Sequence, residues 1–328
     1  MWSTGPVLTR VVDGRARVVH EVRAAAPLMA RLAAPVPARG PWLTAVLNVQ
    51  SARPLARVRP RAVVVEEHPQ GRPDGAALLS FRRRGAGLAT AVTLLGDGPE
   101  VGPLPEGRPP ARLLARDEQI AGLLAAGVAD LLDRLRAPWT LRLSGLPLGD
   151  PTVRQLAALL PGSSLATSRS RRLVDELDTV GAVRRSRDPA ELERLLPDLL
   201  ARVPTAQRPF VRAAARLHAA IGQLEVAVVP DRDTPAAVLL TLVDAGPHGE
   251  DRWPWWGSSD VGGLRRELGS PTVALTAAAG LSAFGPRQRW TAACEALAAD
   301  GWPLVGPTRR WKHGEVSVRW AAVAPVVS

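Results

Sequence analysis

The stretch RAVVVEEHPQGRPDGAALLS at residues 61–80 has a counterpart in the second half of the chain, QLEVAVVPDRDTPAAVLLTL at residues 223–242. Each stretch consists of an apolar, β-branched run, a polar turn with Pro, Asp and Arg, and a second apolar run. This order is typical of a β-hairpin. Two hairpins of the same make-up, one in each half, predict that the chain contains an internal repeat.

The segments that follow the two hairpins also match each other. Residues 139–145 predict a strand, and Asp150 followed by Pro151 predicts the start of a helix over 151–160. The reason is that Asp is a favoured N-cap and Pro fits the first helical position. In the second half, residues 272–280 and 285–297 predict the same order of strand and helix.

The remaining segments complete the repeat through their apolar periodicity and their capping residues. The further predicted strands are 15–22, 88–95, 165–177, 180–186, 253–257 and 315–320, and the further predicted helices are 27–34, 41–50, 117–135, 189–202, 207–221 and 260–268. Both halves then read strand, two helices, three strands, helix, strand, helix, strand. We therefore expect an α/β protein (an α+β mixed sheet) with two similar domains, residues 1–178 and 179–328.

Composition limits the class of protein. The chain has 328 residues, of which 46% are hydrophobic and 22% charged, which is typical of a globular protein with room for two cores. We expect a cytoplasmic protein with no contact with a membrane, because no basic-then-apolar leader and no long apolar run is present. Cys294 is the single cysteine and the five histidines have no ligand spacing, so neither a disulfide nor a metal site is expected.

The net charge of +11 comes almost entirely from arginine, since Lys312 is the only lysine. Together with the abundant Ala, Gly and Pro, this bias is typical of a GC-rich coding sequence. The arginines are spread along the chain, and neither a zinc finger nor an aromatic-basic motif accompanies them, so nucleic acid is an unlikely partner. Positive charge nevertheless favours anionic partners such as phosphate-bearing cofactors.

The order of elements resembles the GCN5-related N-acetyltransferase (GNAT) fold, and a tandem pair resembles the double-GNAT acyltransferases. The resemblance covers almost the whole chain and lies in topology. It implies two tandem GNAT-like domains and an acyl-CoA-dependent N-acyltransferase. Such an enzyme would use acetyl-CoA or another acyl-CoA to acylate an amine of a small molecule or protein. In that enzyme the second half would carry the acyl-CoA site and the first half would be a degenerate copy. The alternative is a non-catalytic, degenerate GNAT-like binding or interaction protein.

The resemblance also implies where the cofactor would bind. In the GNAT family, acyl-CoA lies in a gap between the fourth and fifth strands, and its pyrophosphate contacts a glycine-containing loop at the N-terminus of the third helix. The literal match to that loop, RRRGAG at residues 82–87, precedes a predicted strand rather than a helix, and residues 108–117 lack glycine. The candidate cofactor-binding residues in the second half are Ser258, Ser259, Gly262, Gly263, Arg265 and Arg266. A plain helix start is the alternative for this segment.

Acyl transfer to an amine needs a base and an acid. Members of the GNAT family often use a Tyr as this acid. The present chain has no Tyr, so the resemblance implies that Cys294, a serine or water would protonate the leaving thiolate. Glu66 and Glu67 at the end of a predicted strand are the candidate bases, and an exposed hairpin turn is the alternative for them. The string WPWW at residues 253–256 predicts either a wall of the substrate pocket or a buried plug between domains or between the subunits of a homodimer.

Overall fold

The computed structural model of the protein describes residues 8–279, apart from gaps at 53–57, 68–71, 85–88, 99–100, 102–110, 232–233 and 247–248. In the first half the elements are β1 (Leu8–Asp13), α1 (Arg15–Ala24), α2 (Ala26–Arg31), α3 (Gly40–Ser51), β2 (Val58–Glu66), β3 (Gly75–Arg84), β4 (Ala89–Leu94), β5 (Leu114–Ala115), α4 (Glu118–Asp133), β6 (Trp139–Pro147), α5 (Pro151–Leu159) and β7 (Ser164–Asp175). In the second half they are β8 (Arg184–Ser186), α6 (Pro189–Arg202), α7 (Arg208–Ala220), β9 (Leu224–Val229), β10 (Ala237–Gly246), β11 (Gly249–Ser259) and β12 (Leu264–Ala279).

These strands form two sheets. The large sheet has the order β1-β2-β3-β4-β6-β12-β7, with the short β5 paired to β3, and the small sheet has the order β11-β10-β9-β8. Neighbouring strands are antiparallel except for β4 and β6, which are parallel. The prediction of a mixed-sheet α/β protein is therefore confirmed, and so are both predicted hairpins, β2–β3 and β9–β10.

N-cap hydrogen bonds fix the residues at which two of the predicted helices, α4 and α5, begin. The carboxylate of Asp117 accepts a hydrogen bond from the N–H of Ile120 at 2.9 Å, which begins α4. The carboxylate of Asp150 accepts from the N–H groups of Thr152 and Val153 at 2.9 and 3.1 Å, which begins α5. These bonds satisfy N–H groups that have no partner within the helix. Burial raises the pKa of Asp150, which sits under the helix start.

The strand predicted for residues 15–22 is wrong, because these residues form α1. Val18, Glu21 and Val22 are its buried residues, and their spacing of three and four residues places them on one helical face. The first strand is instead β1, whose residues Leu8 to Asp13 pair with Glu66 to Arg61 of β2. A short stretch with β-branched residues can fit either the two-residue period of a strand or the 3.6-residue period of a helix. In residues 15–22 the pattern of buried residues follows the helical period.

The helix predicted for residues 260–268 is also wrong. Residues 260–263 form a turn, and the following residues begin β12, whose Arg265 pairs with Val174 of β7. Gly262 and Gly263 have φ angles of 84° and 77°, a left-handed conformation that favours glycine. A Cβ atom on Gly263 would lie 2.8 Å from Cγ2 of Val180, so the turn has no room for a side chain there.

Strand β12 connects the two halves of the chain. Although it follows β11 in the second half, it lies in the large sheet between β6 and β7. Its residues 272–279 pair with β6 and its residues 264–276 pair with β7. A division near residue 178 therefore stays a prediction, and one strand of the second half crosses it.

The hydrophobic core also crosses between the halves. One face of the large sheet packs on α4 and α5. The other face contributes to a larger core in which α1 and α3 pack with α6, α7 and the small sheet. At its centre Trp42 of α3 contacts Phe210 and Trp255, with ring centroids 4.9 and 5.3 Å apart. Trp255 and Trp256 are each 1% exposed, and the ring of Trp255 lies in the contact between the halves.

His218 is expected to make the stability of the protein depend on pH. It lies on α7 with 2% of its surface exposed, and burial lowers its pKa from 6.5 to about 4. Between these two values the unfolded chain binds a proton that the folded protein does not bind, so stability falls as the pH falls. The loss on going from pH 6.5 to pH 4 is expected to be roughly 3 kcal/mol.

Urea denaturation of the protein and of a His218→Leu variant at neutral and at acidic pH would check this expectation. The variant should lose less free energy of unfolding on acidification than the parent protein does. An equal loss in both proteins would contradict the assignment.

Candidate functional site

The gap between the fourth strand and its parallel neighbour is closed in the first half of the chain. β4 and β6 pair from Thr90 with Trp139 to Thr93 with Arg142, and β6 then continues beyond the end of β4 to Pro147, paired only with β12 on its other edge among the described residues. Residues 111–115 occupy the space beyond. The N–H of Ala111 donates to the carbonyl oxygen of Gly145 at 2.8 Å, and β5 pairs with β3.

A small cavity remains beside this segment. It has a volume of about 30 Å³ and a mainly apolar lining that includes Leu43, Leu78, Leu94 and Leu114. The guanidinium of Arg112, which also lines the cavity, donates a hydrogen bond to the carbonyl oxygen of Leu32. A space of this size holds a water molecule or a methyl group, and it is too small for an acyl chain.

The start of α4, where a phosphate would have to bind in the first half, carries negative charge of its own. Asp117 caps the helix, and its hydrogen bond from Ile120 N–H lowers the pKa of its carboxyl group. Glu118 follows in the first turn and pairs with Arg154. Carboxylates therefore occupy the positive end of the helix dipole, which is the place of a bound anion. The described residues of the first half do not fit acyl-CoA.

Glu66, one of the two predicted bases, is buried in an ion cluster. It is 2% exposed, and its carboxylate accepts a hydrogen bond from the guanidinium of Arg10 at 2.6 Å. The same guanidinium binds both carboxylate oxygens of the buried Glu21 at 2.8 Å, and these bonds raise the pKa of Arg10. Glu66 is thus neither in an exposed turn nor directed into an open cleft.

Glu67, the other predicted base, is half-buried in a second ion cluster at the start of α4. Its carboxylate accepts a hydrogen bond from Arg116, whose guanidinium also binds Asp74 at 2.8 Å and Asp117 at 2.9 Å. The backbone N–H of Glu67 donates to Asp74 at 3.1 Å. Three carboxylates share one guanidinium, which raises the pKa of Arg116. The cluster joins the β2–β3 hairpin to α4.

The predicted cofactor-binding residues lie on a strand, a turn and a strand. Ser258 and Ser259 end β11, Gly262 and Gly263 form the turn, and Arg265 and Arg266 belong to β12. The hydroxyl of Ser259 donates to the carbonyl oxygen of Gly262 and accepts from the N–H of Val261 at 3.2 Å. The N–H of Asp260 donates to the carbonyl oxygen of Ala236 at 2.9 Å.

The two arginines of this segment differ in their partners. Arg265 pairs with Glu176 and Glu267, each at 2.8 Å, whereas Arg266 is exposed and forms no ion pair within the described ranges. Two amide groups of the turn already have partners, so the turn is not a free array of donors for a pyrophosphate. A role of these residues in cofactor binding stays a prediction, and Cys294 lies outside the described residues.

β11 is the counterpart of β4 in the second half. The antiparallel order β8-β9-β10-β11, with α6 and α7 between its first two strands, repeats the order β1-β2-β3-β4 with α1 to α3 in the same place. β11 also has a bulge: Leu240 pairs with Trp256 and Thr241 with Pro254, so Trp255 is an extra residue. Among the described residues no strand pairs with the other edge of β11, whereas β6 pairs with the corresponding edge of β4.

Two further absences apply to the part of the chain that the structure describes. It contains no group of three or more His, Cys, Asp or Glu side chains that could hold a metal ion. It also contains no helix with the length and apolar character needed to span a bilayer.

Comparison with known proteins gives similarity in structure only. No protein-family model and no curated protein matches the sequence. Among solved structures, the chain is similar to a tandem GNAT protein from the clavulanic acid biosynthesis pathway, solved without AcCoA. That match has 16% identity and a TM-score of 0.38 and covers 83% of this chain and 98% of that chain.

A second solved structure, FemX, matches with 12% identity and a TM-score of 0.38, over 72% of this chain and 58% of that one. Both TM-scores lie below 0.5, so neither structure bears on the chemistry of this chain. The architecture rests on the strand order described above.

Proposed function

We propose that this chain is a degenerate tandem GNAT-like protein that binds a ligand or a partner and does not transfer acyl groups. The observation that carries the proposal is the closed gap of the first half, where residues 111–115 occupy the space beside β6. The sequestered carboxylate of Glu66 supports it, because a base held by Arg10 in a buried ion pair is not free to take a proton from an amine.

The bulged edge of β11, with which no described strand pairs, favours a second candidate, an acyl-CoA-dependent N-acyltransferase that uses the second half. In that case the phosphates of acetyl-CoA or a longer acyl-CoA would contact Ser258, Ser259, Gly262, Gly263, Arg265 and Arg266. Of the two predicted bases, Glu67 would take the proton of the acceptor amine, because Arg10 holds Glu66, and Cys294 would protonate the leaving thiolate. The acceptor would be an amine of a small molecule or a protein.

Calorimetric titration of the full chain with acetyl-CoA and with a longer acyl-CoA separates the two candidates. The proposal predicts no saturable heat with either compound. It also predicts no release of free CoA thiol when a panel of primary amines is added.

A saturable response would favour the acyltransferase, provided that Arg266→Glu weakens it. Arg31→Glu is the matched control, because Arg31 is an exposed arginine on α2 in the other half. Binding that both variants weaken equally would be an effect of net charge alone. A cytoplasmic location and a homodimer stay predictions under either candidate.

A further inference from the structure

A large cleft lies between the end of β7 and one face of the small sheet. Leu173 and Leu177 cover one end of this face, where they pack against Ala227 and Leu239. Beyond them, described residues of this face and of β7 line a cleft with a volume of about 640 Å³. This volume is in the range of pockets that bind small molecules. Its lining includes Leu173, Asp175, Arg185, Thr241, Arg252 and Pro254.

Thr241 is the buried polar group of this cleft. It lies on β10, is 1% exposed, and its hydroxyl has no hydrogen-bond partner among the described residues. It interrupts the otherwise apolar run AVLLTLV at residues 237–243. A buried hydroxyl without a partner costs free energy that a valine in the same place would not cost. A ligand atom in the cleft would supply the missing hydrogen bond.

Arginines are the most numerous charged residues on the cleft wall, and each of them is paired with carboxylates. Three guanidinium groups, those of Arg172, Arg185 and Arg252, line the cleft together with the single carboxylate of Asp175. Each guanidinium is held in place by a carboxylate: Arg172 binds Glu267 at 2.6 Å, Arg185 binds Asp175 at 2.6 Å, and Arg252 binds Glu225.

These ion pairs leave donors available. A guanidinium has five N–H groups, and each of the three arginines uses two of its nitrogen atoms on its carboxylate partners. Glu225, which is 6% exposed, accepts from Arg252 and lies 3.8 Å from Arg185, so it fixes two of the three guanidinium groups. The remaining N–H groups are donors beside the apolar Leu173 and Pro254, and the buried hydroxyl of Thr241 lies behind them.

We infer that this cleft is a binding site for a small molecule with an oxyanion group, either a carboxylate or a phosphate. The oxyanion accepts hydrogen bonds from Arg172, Arg185 or Arg252 and from the hydroxyl of Thr241, and the body of the ligand packs on Leu173 and Pro254. Arginine is suited to both anions because its N–H groups can bind two oxygens at once. The site is separate from the predicted acyl-CoA segment and does not depend on the proposed function.

Thermal-shift and calorimetric titrations of the full chain at constant ionic strength test this inference. The probes are inorganic phosphate and succinate, with butane-1,4-diol as the uncharged analogue of succinate. Saturable stabilisation by phosphate or by succinate, and none by the diol, is the expected result, and the probe that binds identifies the anion. No saturable response to either anion would overturn the inference.

Two variants locate the binding. Thr241→Val is expected to weaken anion binding by about 10-fold while leaving the melting temperature of the free protein equal or higher, since it removes an unpaired buried hydroxyl. Arg172→Gln, at an exposed position, is expected to weaken binding by several-fold without unfolding the protein.

Thr93→Val is the matched control, because it makes the same change on β4 in the other half and should leave anion binding unaltered. Equal binding by the parent protein and by both the Thr241→Val and the Arg172→Gln variants would place the anion elsewhere and overturn the inference.

Discussion

Replacing Trp42 with alanine is expected to lower the free energy of unfolding by about 3–5 kcal/mol. Trp42 is fully buried on α3 and contacts three aromatic rings of the second half, those of Phe210, Trp253 and Trp255. Truncation would leave a cavity where the two halves meet. The lost free energy of unfolding therefore combines the hydrophobic transfer of the removed atoms with the cost of the cavity. Urea denaturation followed by far-ultraviolet circular dichroism measures it.

Two further variants make this expectation specific. Trp42→Phe should cost less than Trp42→Ala, because it keeps an aromatic ring and removes an indole N–H that has no hydrogen-bond partner among the described residues. Leu165→Ala should change stability by less than about 0.5 kcal/mol, because Leu165 is 53% exposed. A loss for Trp42→Ala no larger than that of Leu165→Ala would show that the rings do not join the halves.

Replacing Arg10 with methionine is expected to destabilise the protein by about 3 kcal/mol. Arg10 is the guanidinium that pairs with both Glu21 and Glu66, which are 4% and 2% exposed. Without it, two carboxylates stay buried close together and unpaired, and the cost of that state exceeds the value of the ion pair itself. Because the Arg10 side chain is 32% exposed, water reaches the cluster and keeps the loss at the lower end of the range for buried pairs.

Chemical denaturation would compare Arg10→Met with Arg15→Met, the matched control. Arg15 is exposed and makes a single hydrogen bond to Asn48, so its replacement should be nearly neutral. Adding Glu21→Gln and Glu66→Gln to Arg10→Met should restore part of the loss, since the uncompensated charges are removed. Equal stability of the two single variants would contradict a structural role of this cluster.

The elements that could be predicted from the sequence are those with local causes. Asp150 is an N-cap in the sequence and in the structure, because a cap acts within three residues of itself. Both hairpins were predicted for the same reason, since apolar runs around a polar turn pair with each other. The helix predicted at 260–268 was wrong because the pairing of β12 with β7 joins residues far apart in the chain.

The sites show the same division. Glu66 could be selected from the sequence as a polar residue at a strand end, but its partners Arg10 and Glu21 are brought to it by the pairing of β1 with β2 and by the packing of α1. The sequence contained an indication of the cleft beside β7 that the prediction did not use. Glu225 and Thr241 each interrupt a run of apolar residues in a strand, and such residues indicate a buried polar contact.

The position of β12 has a consequence for how this chain can change during evolution. Because a strand from the second half lies between β6 and β7, it supplies backbone partners to two strands of the first half. A gene shortened before the codon for Leu264 would leave both of those strands with an unpaired edge, and exposed edges favour aggregation. The two halves are therefore expected to be inherited as one unit, even though their element order suggests that one arose as a copy of the other.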